Sequence, residues 1–297
     1  MHIPFFITFF KIQKNILDLK HEMVYNDKKR KELYTKMKAT ELIEKLFLSA
    51  TEKDLSKGCD QLIAGNPEAE VSKVAVTMFA TPNIIRQAKE WGAELIITHE
   101  PTFYDHLDRK EDEKIQSEKR KLIDDLNMTI YRYHDHPHAA VHDEIAAGEI
   151  EKMNFDCDIE YTKTFDLLRM HLKKPMTPVE VASQIEKNLN IKHVRICGTR
   201  DLPCSEISGM FGTPGGLMEE LQSDECEILI VGEACEWSLG EYARDCAELG
   251  HKKALLILGH AGSERDGMMW VTKKFSKVIP EISFRYFECG EVYTYTE

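Results

Sequence analysis

The sequence lacks the paired cysteines of a zinc finger or a dithiol redox motif. None of its eight cysteines is separated from another by two residues. Single, scattered cysteines are typical of reduced and mostly buried thiols, and they do not form the regular framework of a small secreted domain. This pattern argues against a Cys-type zinc site and predicts a cytoplasmic protein.

An excess of basic residues is also absent. The formal net charge is -12 and the sequence pI is about 5.5. A protein that binds duplex nucleic acid through a basic face normally has the opposite balance, so the composition gives no nucleic-acid signal. A small anionic substrate is still compatible, because bound metal ions can outweigh the net charge locally.

No hydrophobic run is long enough to span a membrane. Residues 1–10 are apolar, whereas a transmembrane helix needs about 20 such residues. The stretch has no basic region before it and no small-residue cleavage site, so it is a poor signal peptide. A highly charged tract follows, and we interpret residues 1–38 as an accessory or mis-started segment. The alternative is an anchor lying on a membrane surface.

The rest of the chain alternates between strand and helix patterns. Residues 71–79 alternate as a strand, Pro82 suits the first turn of a helix that Gly92 ends, and Leu95–Ile97 form a short apolar run. A strand, a helix and a second strand in this order predict parallel pairing with a right-handed crossover. At 297 residues the chain is long enough for two lobes. We predict two α/β lobes with mostly parallel sheets, at residues 39–160 and 161–297.

Further elements follow from the same patterns. The first lobe should contain a polar helix over 105–125, a strand over 128–133 and a helix over 141–153. Thr177, Pro178 and Glu180 form the pattern of a capping box at the start of a helix in the second lobe. The other predicted elements of that lobe are strands at 193–199, 206–213, 227–232 and 252–259, a helix at 239–249 and a final strand at 283–287.

Metal-binding residue types follow three of the predicted strands. His99 and Glu100 come after the run Leu95–Ile97, where Pro101 ends the strand. A second group follows the strand at 128–133, and a third group follows the strand at 252–259. Open α/β sheets place their sites at the carboxyl ends of strands, which hold ligands rigidly. The candidate ligands are His99, Glu100, Asp135, His260 and Glu264.

This ligand set predicts a particular kind of site. Two imidazoles and three carboxylates contain too much oxygen for a structural zinc site, and they suit a pair of Zn, Fe, Mn or Co ions bridged by a carboxylate. Two such ions can activate water and polarise a phosphoryl or carbonyl oxygen. The spacing of four between His260 and Glu264 fits either one face of a helix or a tight turn. Each group alone has an ordinary explanation as a surface or hydrogen-bonding residue, and Gly212–Gly216 fits a turn better than a phosphate loop.

Four stretches resemble a known family. They are ELIITHEPTF, HDHPHAAVHDEIA, VGEACEW and GHAGSERDG, in this order. The chain from about residue 40 onward is similar to the Nif-three-like family of dinuclear-metal proteins, also named type-2 GTP cyclohydrolase I. The resemblance implies two divalent ions, and it implies a homo-oligomer because similar members form toroidal hexamers around an interior cavity.

The resemblance also assigns ligands to particular residues. The family's adjacent histidines match His99 and Glu100, its final histidine and glutamate match His260 and Glu264, and its bridging aspartate matches Asp135. His138 is the alternative to Asp135 if the loop is gapped differently. A carboxylate at Glu100 makes the site harder and changes its metal preference. Glu233 is a candidate to support the ligands from behind.

These observations lead to two functional hypotheses. The first is a metal-dependent hydrolase, of cyclohydrolase or phosphoester type, that acts on a small nucleotide-like or phosphorylated substrate through a metal-bound water. The alternative is a non-catalytic metal-binding protein that regulates or scaffolds other proteins. Both place the metal site in the cleft between the two lobes.

Overall fold

The computed structural model describes residues 36–109, 112–162 and 167–296. The interpretation of residues 1–38 therefore lies almost entirely outside the described residues. Within the described ranges, no helix has the length and apolar character needed to cross a membrane.

Helices and strands alternate through most of the described chain. In chain order they are β1 (Met37–Lys38), α1 (Ala39–Ala50), β2 (Leu62–Ala64), β3 (Glu70–Val71), β4 (Lys73–Thr77), α2 (Pro82–Trp91), β5 (Leu95–Thr98), α3 (Lys114–Asp125), β6 (Thr129–Arg132), α4 (Asp135–His138), α5 (Glu144–Met153), β7 (Cys157–Tyr161), β8 (Leu168–Met176), α6 (Pro178–Leu189), β9 (Arg195–Gly198), β10 (Cys204–Met210), α7 (Leu217–Gln222), β11 (Ile228–Val231), α8 (Glu241–Glu248), β12 (Ala254–Ile257), α9 (Arg265–Val278) and β13 (Ser283–Tyr286).

Two sheets carry the fold, which confirms the α/β class. The first has five strands in the order β13-β4-β5-β6-β2, and only β2 runs antiparallel to its neighbour. The second has six strands in the order β7-β8-β10-β11-β12-β9. Its centre, β10-β11-β12, is parallel, whereas β7, β8 and β9 pair antiparallel. Apolar clusters pack on these sheets, so the central strands are buried and read as short apolar runs.

The strand–helix–strand unit that leads to the site forms as predicted. The hydroxyl of Thr81 accepts a hydrogen bond from the amide of Ile84 at 3.2 Å, and Pro82 begins α2. Gly92 ends the helix in the left-handed conformation, with φ 88°, which glycine adopts without strain. Strands β4 and β5 pair in parallel, so their carboxyl ends lie side by side.

The structure differs from the sequence prediction at one long helix and at two strands that no pattern indicated. The helix predicted over 105–125 begins only at Lys114, after Glu113 accepts hydrogen bonds from two amides of the first turn. Before it, Asp105 accepts from the amides of Leu107 and Arg109, which holds the chain in turns. Short acidic side chains compete in this way with helical hydrogen bonds. Strands β7 and β8 were not predicted, and both lie antiparallel at one edge of the second sheet.

The last strand belongs to the other lobe from the one predicted. β13 pairs in parallel with β4 of the first sheet, so the expectation that it completes the second lobe is wrong. The reason is the burial of α9, because Met268, Val271 and Phe275 lie in the same apolar cluster as Val74 of β4. The chain therefore returns to the first sheet after it has built the second.

Candidate metal centre

Candidate ligands from both sheets meet at the carboxyl ends of their parallel strands. His99 and Glu100 follow β5, the histidines of α4 follow β6, and His260 and Glu264 follow β12. His260 Nε2 lies 2.8 Å from Glu100 Oε1, which joins the two lobes directly. Between His260 and Glu264 the chain makes a tight turn, with a short 3-10 helix over Ala261–Ser263. Of the two geometries predicted for this pair, the turn is the one observed.

Backbone and carboxylate acceptors fix the imidazoles of His99 and His138. His99 Nδ1 lies 3.0 Å from the carbonyl oxygen of Tyr133, and His138 Nδ1 lies 2.8 Å from Asp143 Oδ2. Carbonyl and carboxylate oxygens can only accept, so Nδ1 carries the hydrogen in both rings. In a neutral ring the lone pair is then on Nε2, the arrangement found in metal-binding histidines.

His134 and His260 are oriented in the same way. His134 Nδ1 donates to Asp135 Oδ1 at 2.8 Å, and His260 Nδ1 donates to Glu233 Oε1 at 2.8 Å. Glu233 therefore contacts the Nδ1 side of the His260 ring. All four rings turn Nε2 away from these acceptors and toward the interior of the site.

Two buried carboxylates lie among the four Nε2 atoms. Glu100 Oε1 is 2.8 Å from His260 Nε2, 3.8 Å from His134 Nε2 and 4.0 Å from His99 Nε2. The nearest distances from Glu264 to Nε2 atoms are 3.2 Å for His260, 3.8 Å for His99 and 3.9 Å for His138. Each carboxylate is thus shared by three imidazoles.

The two carboxylates of this site stay ionised although they are buried. Burial opposes ionisation of Glu100, but the hydrogen bond from His260 and the charge of His99 lower its pKa to about 2. Burial also opposes ionisation of Glu264, but the contacts of this carboxylate with His260 and His99 hold its pKa well below the usual range. For His260, burial favours the neutral ring, whereas the two carboxylates raise its pKa to about 11. A bound metal ion would replace that proton, because ligands bind metals in their deprotonated forms.

Buried polar atoms without a hydrogen-bond partner are a second feature of this site. His99 is fully buried and its Nε2 has none, and Glu264 Oε2, although 3.2 Å from His260, is not aligned for a hydrogen bond. An unpaired buried polar atom costs about 1–3 kcal/mol. The donor atoms of His99, His134 and His138 lie within 4.8 Å of one another, as do those of His99, Glu100 and Glu264. These groupings could hold metal ions.

Asp135 and His138, the two alternatives for one ligand, have different surroundings. The carboxylate of Asp135 accepts from the backbone amide of Cys59 at 2.9 Å, from the Cys59 thiol at 3.2 Å and from His134. His138 directs its Nε2 toward Glu264 instead. The geometry thus brings His99, Glu100, His138, His260 and Glu264 together. Asp135 lies beside His134 and forms, with His134 and Cys59, a third grouping whose donor atoms lie within 4.8 Å of one another.

Several residues that shape the site were not singled out from the sequence. Arg132 is fully buried at the end of β6, where its Nε donates to the carbonyl oxygen of His99 at 3.1 Å and its Nη2 lies 3.7 Å from Glu100 Oε2. Asp60 accepts hydrogen bonds from the backbone amides of Asp135 and His136 and so fixes the start of α4. An arginine at the end of a buried strand is unusual and could have been noticed, but no local pattern indicates Asp60.

The chain is similar to proteins of one family over most of its length. The sequence profile of Duf34/NIF3 (NGG1p interacting factor 3) matches residues 37–289. A curated relative from Clostridium perfringens (strain 13 / Type A), named GTP cyclohydrolase 1 type 2 homolog, is 24% identical over 233 residues, which cover 74% of this chain and 85% of the relative. A relative of the same name from Clostridium acetobutylicum is 22% identical over 220 residues, which cover 72% and 80%.

A solved structure shares the fold. The Bacillus cereus protein related to NIF3 superposes with a TM-score of 0.69 at 14% sequence identity, covering 88% of this chain and 99% of that chain. The candidate ligands at the strand ends, the two-sheet fold and the profile match agree, and the chain belongs to the Duf34/NIF3 family.

Proposed function

We propose that this protein is a metal-dependent hydrolase with two divalent ions held by His99, Glu100, His134, His138, His260 and Glu264. The observation that carries the proposal is the common orientation of four imidazoles. Each has Nδ1 bound to an acceptor and Nε2 directed at Glu100 or Glu264. Four nitrogens and two carboxylates are enough for two ions, and Glu100 and Glu264 are the candidates to bridge them.

The donor chemistry narrows the choice of metal. Imidazole suits Zn and Fe, whereas sites for Mg and Ca consist of oxygen ligands. Ions of this kind, when bound, activate water and polarise a phosphoryl or carbonyl oxygen. Glu233, which is half exposed, accepts a hydrogen bond from His260 Nδ1 and so keeps the ring hydrogen on that nitrogen.

The reaction type is supported by the names of the curated relatives as well as by the site. Those relatives are called GTP cyclohydrolase 1 type 2 homologs. We propose hydrolysis of a cyclic amide or a phosphoester in a small molecule. A homohexamer and a cytoplasmic location stay predictions.

Metal content per chain is the direct test of the ligand set. We expect about two ions in the wild type and a loss of one or both in His138→Ala. Asp135→Ala should keep both ions with roughly 10- to 100-fold weaker affinity, since Asp135 acts through His134. His251→Ala changes an exposed histidine and is the matched control.

The opposite pattern would reassign the ligand. If Asp135→Ala loses metal and His138→Ala keeps two ions, Asp135 is the ligand and His138 is not. No metal after reloading with Zn, Fe, Mn and Co would reject the metal centre. Two ions without hydrolysis of nucleotides, phosphodiesters or cyclic amides would favour the non-catalytic regulatory or scaffold protein.

A further inference from the structure

The four imidazoles of the candidate metal centre divide three to one. The rings of His99, His134 and His138 adjoin one another, with centroids 4.6, 5.2 and 5.1 Å apart, and their donor atoms lie within 4.8 Å of one another. We call these three residues the histidine triad, and all of them follow strands of the first sheet. The fourth imidazole, His260, follows β12 of the second sheet.

The two carboxylates of the centre lie closer to His260 than to His99 or His134. Glu100 Oε1 is 2.8 Å from His260 Nε2 and 3.8 Å from His134 Nε2. Glu264 Oε2 is 3.2 Å from His260 Nε2, whereas Glu264 Oε1 is 3.8 Å from His99 Nε2. The centre therefore has a nitrogen-rich half at the histidine triad and an oxygen-rich half at His260.

The oxygen-rich half also faces a cavity of about 620 Å³. Among the six candidate ligands, all of which the structure describes, His260 is the one that lines this cavity, with Glu233 beside it. His99 of the triad is fully buried. Water in the cavity can therefore supply further oxygen donors on the side of His260.

From this division we infer that the centre holds two different ions, and this step rests on the proposed function. Imidazole suits Zn, Cu, Fe and Ni, whereas carboxylate and water oxygens suit Mg, Ca and Mn. The histidine triad takes Zn²⁺, and the half at His260 takes a harder ion, Mn²⁺. Glu100, which matches a histidine of the family, contributes to this difference because it adds oxygen to the half at His260.

The two halves differ in the ratio of their affinities for Zn²⁺ and Mn²⁺. Zn²⁺ binds a given site of nitrogen and oxygen ligands more tightly than Mn²⁺ does, so Zn²⁺ in excess would fill both halves. The inference is therefore tested with a limited supply of Zn²⁺, where the triad and the half at His260 compete for it.

Equilibrium dialysis of the metal-stripped full chain against excess Mn²⁺, with one equivalent of Zn²⁺ added, is the first test. We expect elemental analysis to find one Zn and one Mn per chain. The electron paramagnetic resonance spectrum of the bound Mn²⁺ should then be that of isolated ions. If Zn²⁺ were distributed at random over the two halves, part of the molecules would hold two Mn²⁺ ions side by side and would give a spin-coupled spectrum.

Two histidines of equal exposure then locate the ions. The side chains of His134 and His260 are each 21% exposed. His134→Ala should weaken binding of the first Zn²⁺ by more than about 100-fold, which exceeds the usual effect of losing a residue that only supports a ligand, and it should keep Mn²⁺. His260→Ala should leave binding of the first Zn²⁺ nearly unchanged and lose Mn²⁺. His251→Ala, which changes an exposed histidine, should bind both ions like the wild type.

The outcomes separate this inference from the proposed function. Spin-coupled Mn²⁺ pairs in the wild type, or loss of the first Zn²⁺ from His260→Ala and not from His134→Ala, overturns the division into unlike halves. The measurement on the wild type needs no substitution, so it decides the matter even if a variant fails to fold. Two bound ions without any difference between the halves leave the dinuclear centre intact, whereas a chain that binds no metal contradicts the proposed function itself.

Discussion

The carboxylate of Asp143 connects a helix cap to the proposed metal ligand His138. One oxygen accepts hydrogen bonds from the amides of Ile145 and Ala146 at the start of α5, and the other accepts from His138 Nδ1. Burial favours the protonated acid, but His138 and the amide donors lower its pKa. The same side chain therefore stabilises α5 and fixes the tautomer of His138.

Asp143→Ala should affect both properties. We expect a loss of about 1 kcal/mol of stability from the missing cap and a roughly 10- to 100-fold weaker metal affinity from the freed imidazole. Thr177→Ala is the matched control, because it removes the capping box of α6 away from the site. Denaturation and metal titration measure the two effects. Equal metal affinity in the two variants would show that Asp143 does not position His138.

Lys119 places an ammonium group in the interior of the first lobe. Its Nζ donates to the carbonyl oxygen of Thr102 at 2.6 Å and lies 5.4 Å from the centre of the Tyr104 ring. Burial disfavours the charged form, and although Asp108 opposes this effect, the pKa of Lys119 falls from 10.5 to about 8.

This shift predicts a pH dependence of stability. Between about pH 8 and 10.5 the unfolded chain holds more protons at this group than the folded chain, so the folded state gains stability as the pH rises through that window. The free energy of unfolding of the wild type minus that of Lys119→Met should therefore increase across it and stay flat below it. Lys121→Met, an exposed lysine on the same helix, controls for the loss of one charge. A constant difference for Lys119→Met would contradict the prediction.

At the scale of whole elements, α5 and α9 cross through glycines. A Cβ added at Gly148 of α5 would lie 2.7 Å from Gly267 Cα and 3.0 Å from the carbonyl oxygen of Asp266, both on α9. These are backbone atoms, so they cannot move aside as a flexible side chain would. The crossing sets the position of α9, which begins directly after Glu264.

Gly148→Ala should destabilise the protein although alanine favours helix. Overpacking costs about 1–3 kcal/mol, and the gain in helix propensity offsets up to about 1 kcal/mol of it. We expect a net loss of about 1–2 kcal/mol in urea denaturation. Gly215→Ala is the matched control, since no atom lies within 4 Å of the added carbon, and it should stay within about 1 kcal/mol of wild type. Equal stability of Gly148→Ala and Gly215→Ala would mean that α5 and α9 can move apart to accommodate the added carbon.

Local patterns predicted the elements that position the site and left part of their pairing open. The buried run Leu95–Ile97 and the Thr81–Pro82 helix start depend on neighbouring residues, and both appear as predicted. The partner of β13 depends on where α9 buries Phe275, far away in sequence. The different surroundings of Asp135 and His138 have the same origin, because Cys59 and Asp143 contact these side chains and strand periodicity does not reveal either contact.

At the scale of the molecule, the candidate metal ligands come from both lobes. His99, Glu100, His134 and His138 follow strands of the first sheet, whereas His260 and Glu264 follow β12 of the second. Without a metal ion, the buried carboxylates depend on the proton of His260 and on Arg132 for compensating charge. Bound ions would add contacts that only the folded chain can make.

Removal of the metal should therefore lower the melting temperature of the whole protein. An ion at 100 times its Kd stabilises the folded state by about 2.7 kcal/mol, and for a chain of this size each kcal/mol shifts Tm by about 2–4 °C. We expect a strong chelator to lower Tm by about 5–11 °C, with recovery when the metal is restored. His138→Ala should show a much smaller chelator shift, and His251→Ala should respond like the wild type. An unchanged Tm after elemental analysis has shown the metal to be gone would mean that the ions do not connect the two lobes.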